Sequence, residues 1–195
     1  MTLLTLVRHG QTDWNLARRI QGSTDIPLNE KGRADARTAA ERLEGTTHHA
    51  IYSSPLARAR ETAEIIAARL GLGAPVLVPD IREREFGEGE GMLVSEYMQT
   101  YGGWQSPVPG AETLEEVAER SMGALDAIAR DSRRRSTPLA ESVIVVAHGG
   151  VIRSLIAHVS GGTLPRDGDP IVNGSAHRFE ASPGMLRLLD QSVLI

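Results

Sequence analysis

Four short runs of apolar, partly β-branched residues punctuate a chain of otherwise mixed polarity: residues 3–7 (LLTLV), 50–52 (AIY), 76–78 (VLV) and 143–147 (VIVVA). None is long enough to carry a helical stripe of its own. All but the second are apolar nearly throughout, as strands buried on both faces are. Stretches with helical spacing lie between them. Residues 30–43 follow Asn29, a good N-cap, and are rich in Ala, Arg and Glu. Residues 56–70 put Ala59, Ala63, Ile66, Ala67 and Leu70 on one face and stop at Gly71, placed as a C′ glycine. Residues 113–130 align Leu114, Val117, Ser121, Leu125 and Ile128, and the pair Thr113 and Glu116 predicts a capping box.

Strands alternating with helices predict an α/β sandwich around a mostly parallel sheet. The rhythm then changes. Residues 171–172, 176–181 and 185–190 are separated by Asn173-Gly174 and Pro183-Gly184, which predicts an antiparallel edge. The stretches 132–138 (SRRRSTP) and 102–110 (GGWQSPVPG) read as loops, the second as a flap.

Composition narrows the function classes. A length of 195 residues favours one domain over 1–195, with a cap segment at about 86–110. The net charge of -4 argues against a nucleic-acid partner, although a local basic pocket fits inside an acidic protein. There is no cysteine, so disulfides, thiolate metal sites and cysteine nucleophiles are excluded together. The apolar start is too short for a signal peptide, and no run reaches the roughly 18 residues that span a bilayer. The expectation is a cytoplasmic protein without a membrane partner.

Each apolar run gives way to chemically loaded residues. LLTLV leads into Arg8-His9-Gly10, AIY into Ser53-Ser54-Pro55 and then Arg58, VLVPDI into Arg82-Glu83-Arg84-Glu85, and VIVVA into His148-Gly149-Gly150. Ligands of open α/β sheets bind beyond the carboxyl ends of the strands, where all of these residues would collect. Arginine forks match phosphate or carboxylate oxygens, and glycines let backbone N–H groups approach an anion. The Gly149-Gly150 pair would also open a helix, whose N-terminus favours negative charge. A neutral imidazole among such donors is a nucleophile for bound phosphorus, and a carboxylic acid can protonate the leaving oxygen. No HExxH, GxSxG or Walker pattern offers a rival chemistry. His48, His49, His158 and His177 read as structural or exposed.

The blocks LVRHGQTDWN, SSPLARARETA, REREFGEGEG and VVAHGG, in that order, closely resemble the histidine phosphatase superfamily in its phosphoglycerate-mutase-like branch. The resemblance implies a three-layer α/β/α sandwich and needs neither metal nor cofactor. It implies that His9 accepts the phosphoryl group, that Glu83 is the proton donor, and that Arg8, Asn15, Arg58, His148 and the Gly149 backbone form the phosphate pocket. Gln21 and Gly22 fall where relatives contact substrate. Glu85 is the next candidate acid. The chain departs from the pattern at Gly89, where many relatives carry an aromatic residue, and this predicts a wider or looser pocket wall.

Three readings stay open, two of them enzymatic: hydrolysis of a phosphomonoester, cofactor-dependent phosphoglycerate mutation, and phospho-ligand binding without catalysis. The mutases that this chain resembles place a lysine and an arginine pair after the acid motif. Here residues 91–113 hold neither, and Lys31 is the only lysine of the chain. Hydrolysis of a small-molecule phosphate ester is therefore expected, with an apolar or sugar-like leaving group rather than a second phosphate. A homodimer through an edge strand remains compatible with the resemblance.

Overall fold

The first apolar run forms a strand with neighbours on both sides. In the computed structural model, which describes residues 1–136, 141–166 and 168–190, β1 (Thr2–Arg8) pairs in parallel with β4 (Glu141–Ala147) and antiparallel with β5 (Ala176–Ser182). With β2 (Ala50–Ser53), β3 (Val76–Leu77) and β6 (Met185–Asp190), the six-stranded order is β3-β2-β4-β1-β5-β6. The first four are mutually parallel, and β5 and β6 make the antiparallel edge.

Helices cover both faces. On one, α2 (Glu30–Leu43) and α3 (Ala57–Leu70) set Ala39, Ala40, Ala63 and Ile66 against Val7, Ile51, Ile144 and Val146. On the other, α5 (Leu114–Ser136) and α6 (Gly149–Val159) set Leu125, Ile128, Ile152 and Leu155 against Leu4, Leu6, Val143 and Val145. Alternate residues of β1 and β4 thus feed two separate cores, which is why these strands read as continuous apolar runs. The result is the expected three-layer α/β/α sandwich. Local signals hold as well. The Gly32 N–H donates to Asn29 Oδ1 at 2.9 Å, and Thr113 and Glu116 close a reciprocal capping box.

Three expectations change. The stretch 132–138 is not a loop through Ser136, because α5 continues to that residue; Thr137 and Pro138 lie outside the described residues. Arginine is a strong helix former, and the run simply extends α5. The VLV run is not a buried strand: β3 is a two-residue edge piece with Val76 and Leu77 about half exposed. Residues 171–172 form no strand, although Ile171 is buried in the core, because its carbonyl accepts from the Arg8 guanidinium instead of joining a ladder.

A third, smaller apolar cluster joins Ile20, Phe86, Tyr97 and Val108. It ties a short helix, α4 (Val94–Tyr101), and the segment around it to the turn that follows α1 (Asp13–Leu16). Gly89 leaves no gap in this cluster. A Cβ there would stand 2.6 Å from the Tyr97 ring, so that ring already fills the space expected to be loose.

Candidate active site

Register alone gathers the polar strand ends. Arg8 lies level with Ala147 and Ser53 with Val146, so His9, His148 and Ser54 each sit one step past the sheet edge. The His9 N–H donates to the Ala147 carbonyl and the Ser54 N–H to the Val146 carbonyl, each at 3.0 Å, continuing the ladder into the first turn of each connection. The Gly10 N–H then donates to Thr62 Oγ1 at 3.1 Å. Gly10 and Gly32 are packed backbone to backbone: a Cβ on Gly10 would lie 2.1 Å from the Gly32 carbonyl oxygen. This contact seats the end of β1 on the first turn of α2.

His9 is almost wholly buried, and its Nδ1 lies 2.7 Å from the Gly10 carbonyl. A carbonyl only accepts, so Nδ1 carries the proton and Nε2 keeps its lone pair. Burial first, then the Arg58 and Arg8 charges, push the pKa of His9 well below its ordinary value, so the ring is neutral. Its neighbour His148 is held neutral in the same way, by burial first and Arg58 next. The two rings meet edge to face at 5.1 Å, with His148 Nε2 2.8 Å from Ser54 Oγ.

Arg58 enters from the first turn of α3 and has no exposed surface. Its Nη1 donates to the Thr24 carbonyl at 2.9 Å and its Nη2 to the Gly22 carbonyl at 2.8 Å. Burial lowers its pKa to about 10, opposed by Glu83, Asp25 and Glu90, and it stays cationic at neutral pH. Arg8 donates to the Ile171 carbonyl and lies flat against Gly149, where a Cβ would sit 3.3 Å from Arg8 Nε. Nε of both arginines and Nδ1 of His148 are buried without a partner among the described residues. Unpartnered buried donors of this kind, clustered around a neutral imidazole, are chemically suited to an anion.

Glu83 is buried at the head of the crevice. Oε1 accepts from the Arg84 N–H at 2.8 Å and Oε2 from the Gly150 N–H at 3.0 Å. Each oxygen therefore has a fixed backbone partner. Asn15 caps α1 with Thr12; its Oδ1 also accepts from Asn173 Nδ2 at 3.2 Å, and its Nδ2 donates to Gln21 Oε1 at 3.4 Å.

Arg8, His9, Asn15, Gln21, Glu83 and Gly149 all line one cleft of about 450 Å³. Arg58 and His148 are buried outside its lining, next to His9. Gly22 does not line it either: its carbonyl serves Arg58, and its N–H donates to both oxygens of Glu90 at 2.9 and 3.1 Å. A larger cavity, about 590 Å³, shares the wall made by Arg84 and Leu114 but contains neither His9 nor His148. Volume is a poorer guide here than chemistry, and the smaller cleft is the candidate site.

Several supporting residues were given no role by the sequence. Asn173 Nδ2 also donates to the His9 carbonyl at 2.9 Å, across 164 positions of chain. Ser54 and Thr62 hold His148 and Gly10. Arg120 bonds the carbonyls of Asp80, Arg82 and Glu83 at 2.8, 2.9 and 3.1 Å, and so holds the whole turn that presents the acid. Of the other histidines, His48 and His177 are buried on Ser142 and Ser175, while His158 is exposed. Among the described residues no group of three His, Cys, Asp or Glu is placed to hold a metal ion, and no helix is long and apolar enough to cross a membrane.

Comparison with known proteins bears on the family and the fold. The family model described as histidine phosphatase superfamily (branch 1) matches residues 4–191. An uncharacterized phosphatase, PhoE, of Bacillus subtilis is 37% identical over 194 residues, covering 99% of this chain and 95% of its own. Phosphoglycerate mutase-like protein 4 of Arabidopsis thaliana is 37% identical over 193 residues, covering 93% of this chain and 80% of its own. Among solved structures, a mycobacterial glucosyl-3-phosphoglycerate phosphatase superposes with a TM-score of 0.79 at 31% identity, covering 96% of this chain and 97% of that one.

Proposed function

The chain belongs to the histidine phosphatase superfamily, and on that premise we propose that it is a metal-independent phosphomonoester hydrolase of small-molecule esters, working through a phosphohistidine at His9. The observation that carries the reading is the locked tautomer of His9. With Nδ1–H committed to Gly10, a neutral Nε2 is presented among cations that recognise phosphate.

In the first step Nε2 attacks phosphorus and the ester P–O bond breaks. Arg8, Arg58, His148 Nδ1–H, Asn15 and the Gly149 N–H stabilise the charge on the transferred oxygens. Gln21 orients the rest of the ester. Glu83, protonated, gives its proton to the leaving alkoxide. In the second step water attacks the phosphohistidine, Glu83 takes its proton, and phosphate leaves with Nε2 restored. The segment 86–110 acts as the cap over this chemistry, with Phe86, Val94 and Trp104 in the cleft wall. Relatives named as phosphatases and as mutase-like both fit the first step. They differ in whether water or a bound product receives the phosphoryl group.

The test is turnover of a phosphomonoester panel in EDTA by wild type and His9→Ala. Hydrolysis that survives EDTA, vanishes in the variant and passes through an acid-labile, base-stable phosphoenzyme supports the reading. Robust hydrolysis by His9→Ala overturns it. Isomerisation of a phosphoglycerate on addition of bisphosphoglycerate, outpacing hydrolysis, assigns the chain to the mutases.

A further inference from the structure

We propose that Glu90 is a positioning residue for the phosphate pocket: through the loop 22–24 it sets the plane in which the Arg58 guanidinium meets the transferred group. This rests on the phosphatase reading above and extends it to a residue outside the cleft lining.

The GEGEG stretch at residues 87–91 carries two glutamates with different surroundings. Glu88 is exposed, whereas Glu90 is partly buried and collects backbone donors. Its Oε1 accepts from the Gly22 N–H at 2.9 Å and from the Thr24 N–H at 3.1 Å. Its Oε2 shares the Gly22 N–H, also at 3.1 Å. Bonds to an ionised acceptor are stronger than neutral ones, so the loop is gripped rather than merely touched. The backbones are fixed as well. The Gly91 N–H donates to the Ile20 carbonyl at 3.0 Å and the Ile20 N–H to the Met92 carbonyl at 2.8 Å, so glutamate and loop keep one register.

The same two residues hold Arg58. Gly22 and Thr24 each give an N–H to Glu90 and a carbonyl to the guanidinium. The loop is thus strung between an anion and a cation, and neither end turns without disturbing the other. One carbonyl guides a guanidinium poorly, because its acceptor directions are broad. Two carbonyls, one on Nη1 and one on Nη2, leave a single plane. They also leave Nε, buried and without a partner among the described residues, as a donor for the anion. Position 22 has to be glycine for this arrangement: a Cβ there would lie 2.4 Å from Glu90 Oε2 and 2.5 Å from the Arg84 carbonyl oxygen. Asp25 completes the clamp. Its Oδ1 accepts from the Ala57 N–H at 2.7 Å and ties the loop to the helical turn that carries Arg58.

Charge explains why the acid stands behind the loop. Burial lowers the pKa of Arg58 to about 10, and Glu83, Asp25 and Glu90 offset that loss in turn. A carboxylate bonded to the guanidinium itself would also compensate the charge, but it would occupy the donors that phosphate needs. With Glu90 on the far side of the loop, the compensating charge stays near and the donors stay free.

The experiment measures the binding of inorganic phosphate by calorimetry, which needs no turnover. Glu90→Gln keeps the shape and one acceptor while removing the charge, and Glu90→Ala removes both acceptors. Kd is expected to rise about fivefold in the first and about tenfold or more in the second, the range of one charged hydrogen bond. Arg58→Lys weakens phosphate binding by itself, because an ammonium cannot span both carbonyls. On that background either Glu90 substitution should add less than about twofold, since its effect passes through Arg58. In turnover, kcat/KM of the Glu90 variants should fall equally on an alkyl phosphate and on nitrophenyl phosphate, because the disturbed group holds the transferred phosphoryl. Unchanged phosphate affinity in both Glu90 variants, or the same rise with Arg58 and with Lys at that position, overturns the assignment. So does a loss confined to the alkyl ester, which would join Glu90 to the Glu83 turn instead. Phosphate affinities that follow the expected cycle while hydrolysis proceeds without His9 would keep the role of Glu90 and remove the phosphatase reading alone.

Discussion

Glu83 and Gly150 interlock. The Gly150 N–H donates to Glu83 Oε2 at 3.0 Å, while a Cβ at position 150 would stand 2.4 Å from Glu83 Oε1. The carboxyl group is thus placed by the first turn of α6, an element more than sixty residues away in sequence. Gly150→Ala is expected to push Glu83 aside and lower kcat on alkyl phosphates by about 10²-fold, the cost of displacing a reacting group by about an ångström. Nitrophenyl phosphate, whose leaving group needs less protonation, should lose far less. Equal losses on both esters would show that Glu83 is not the proton donor.

Arg120 grips Glu112 with two bonds of 2.7 Å, from Nε and Nη2, and directs its remaining donors to the turn bearing Glu83. Glu112 in turn accepts from the Glu85 N–H at 3.0 Å. Arg120→Met should cost about 2 kcal/mol of stability by leaving Glu112 short of its charged donor. It should also lower kcat on alkyl phosphates about tenfold with KM little changed. The contrast with nitrophenyl phosphate separates positioning from simple loss of stability, which would affect both esters alike. Arg120→Lys should rescue poorly, because one ammonium cannot serve a carboxylate bidentately and the carbonyls as well.

Tyr97 is fully buried among Phe86, Tyr101 and Trp104, yet its hydroxyl finds no partner among the described residues. Tyr97→Phe removes a buried polar group without opening a hole. Thermal stability should hold or rise, by up to about 1 kcal/mol. Tyr97→Ala should cost about 3 kcal/mol or more, as other large-to-small changes in aromatic cores do. A clear loss of stability in Tyr97→Phe would mean that the hydroxyl is bonded.

Burial holds His177 at about 4 in the folded chain, against about 6.5 in the unfolded one. Between these values the unfolded chain binds a proton that the folded chain does not. Stability is therefore complete above about pH 6.5 and falls as the pH drops towards 4, by up to about 3 kcal/mol for this residue. His9 and His148 act in the same direction. In urea titrations from pH 7 to 4.5, His177→Gln should reduce the dependence of unfolding free energy on pH by roughly one proton. An unchanged slope would refute the neutral buried state.

The parts of the site that were legible in the sequence are those where chemistry follows within a few residues of an apolar run. Arg8, His9, Glu83 and His148 stand out because nothing about ending a strand calls for them. Arg58 was legible from its place shortly after the AIY run, but its complete burial was not. What stayed hidden acts across distance: Arg120 on the Glu83 turn, Asn173 on His9, Gly32 against Gly10. None leaves a local pattern, because each is defined by a partner in another element. The fold shows the same division. Periodicity located the central strands and helices. It did not separate the two-residue edge strand β3 from a buried one, nor did it show that Ile171 would give its carbonyl to an arginine. Both depend on what lies alongside.

The strand order has a consequence for how the molecule is made. β1 is written first, but its two neighbours in the sheet, β4 and β5, both come from the last third of the chain. During synthesis, β2 and β3 can pair while β1 has no strand to join. Closing so long a loop is entropically slow, so this pairing is a late event. Arg8 meets Ala147, and His9 meets His148, only in that event. A nascent chain stopped short of residue 141 would carry a nucleophile with no pocket to work in, and the onset of phosphate binding would time the completion of the sheet.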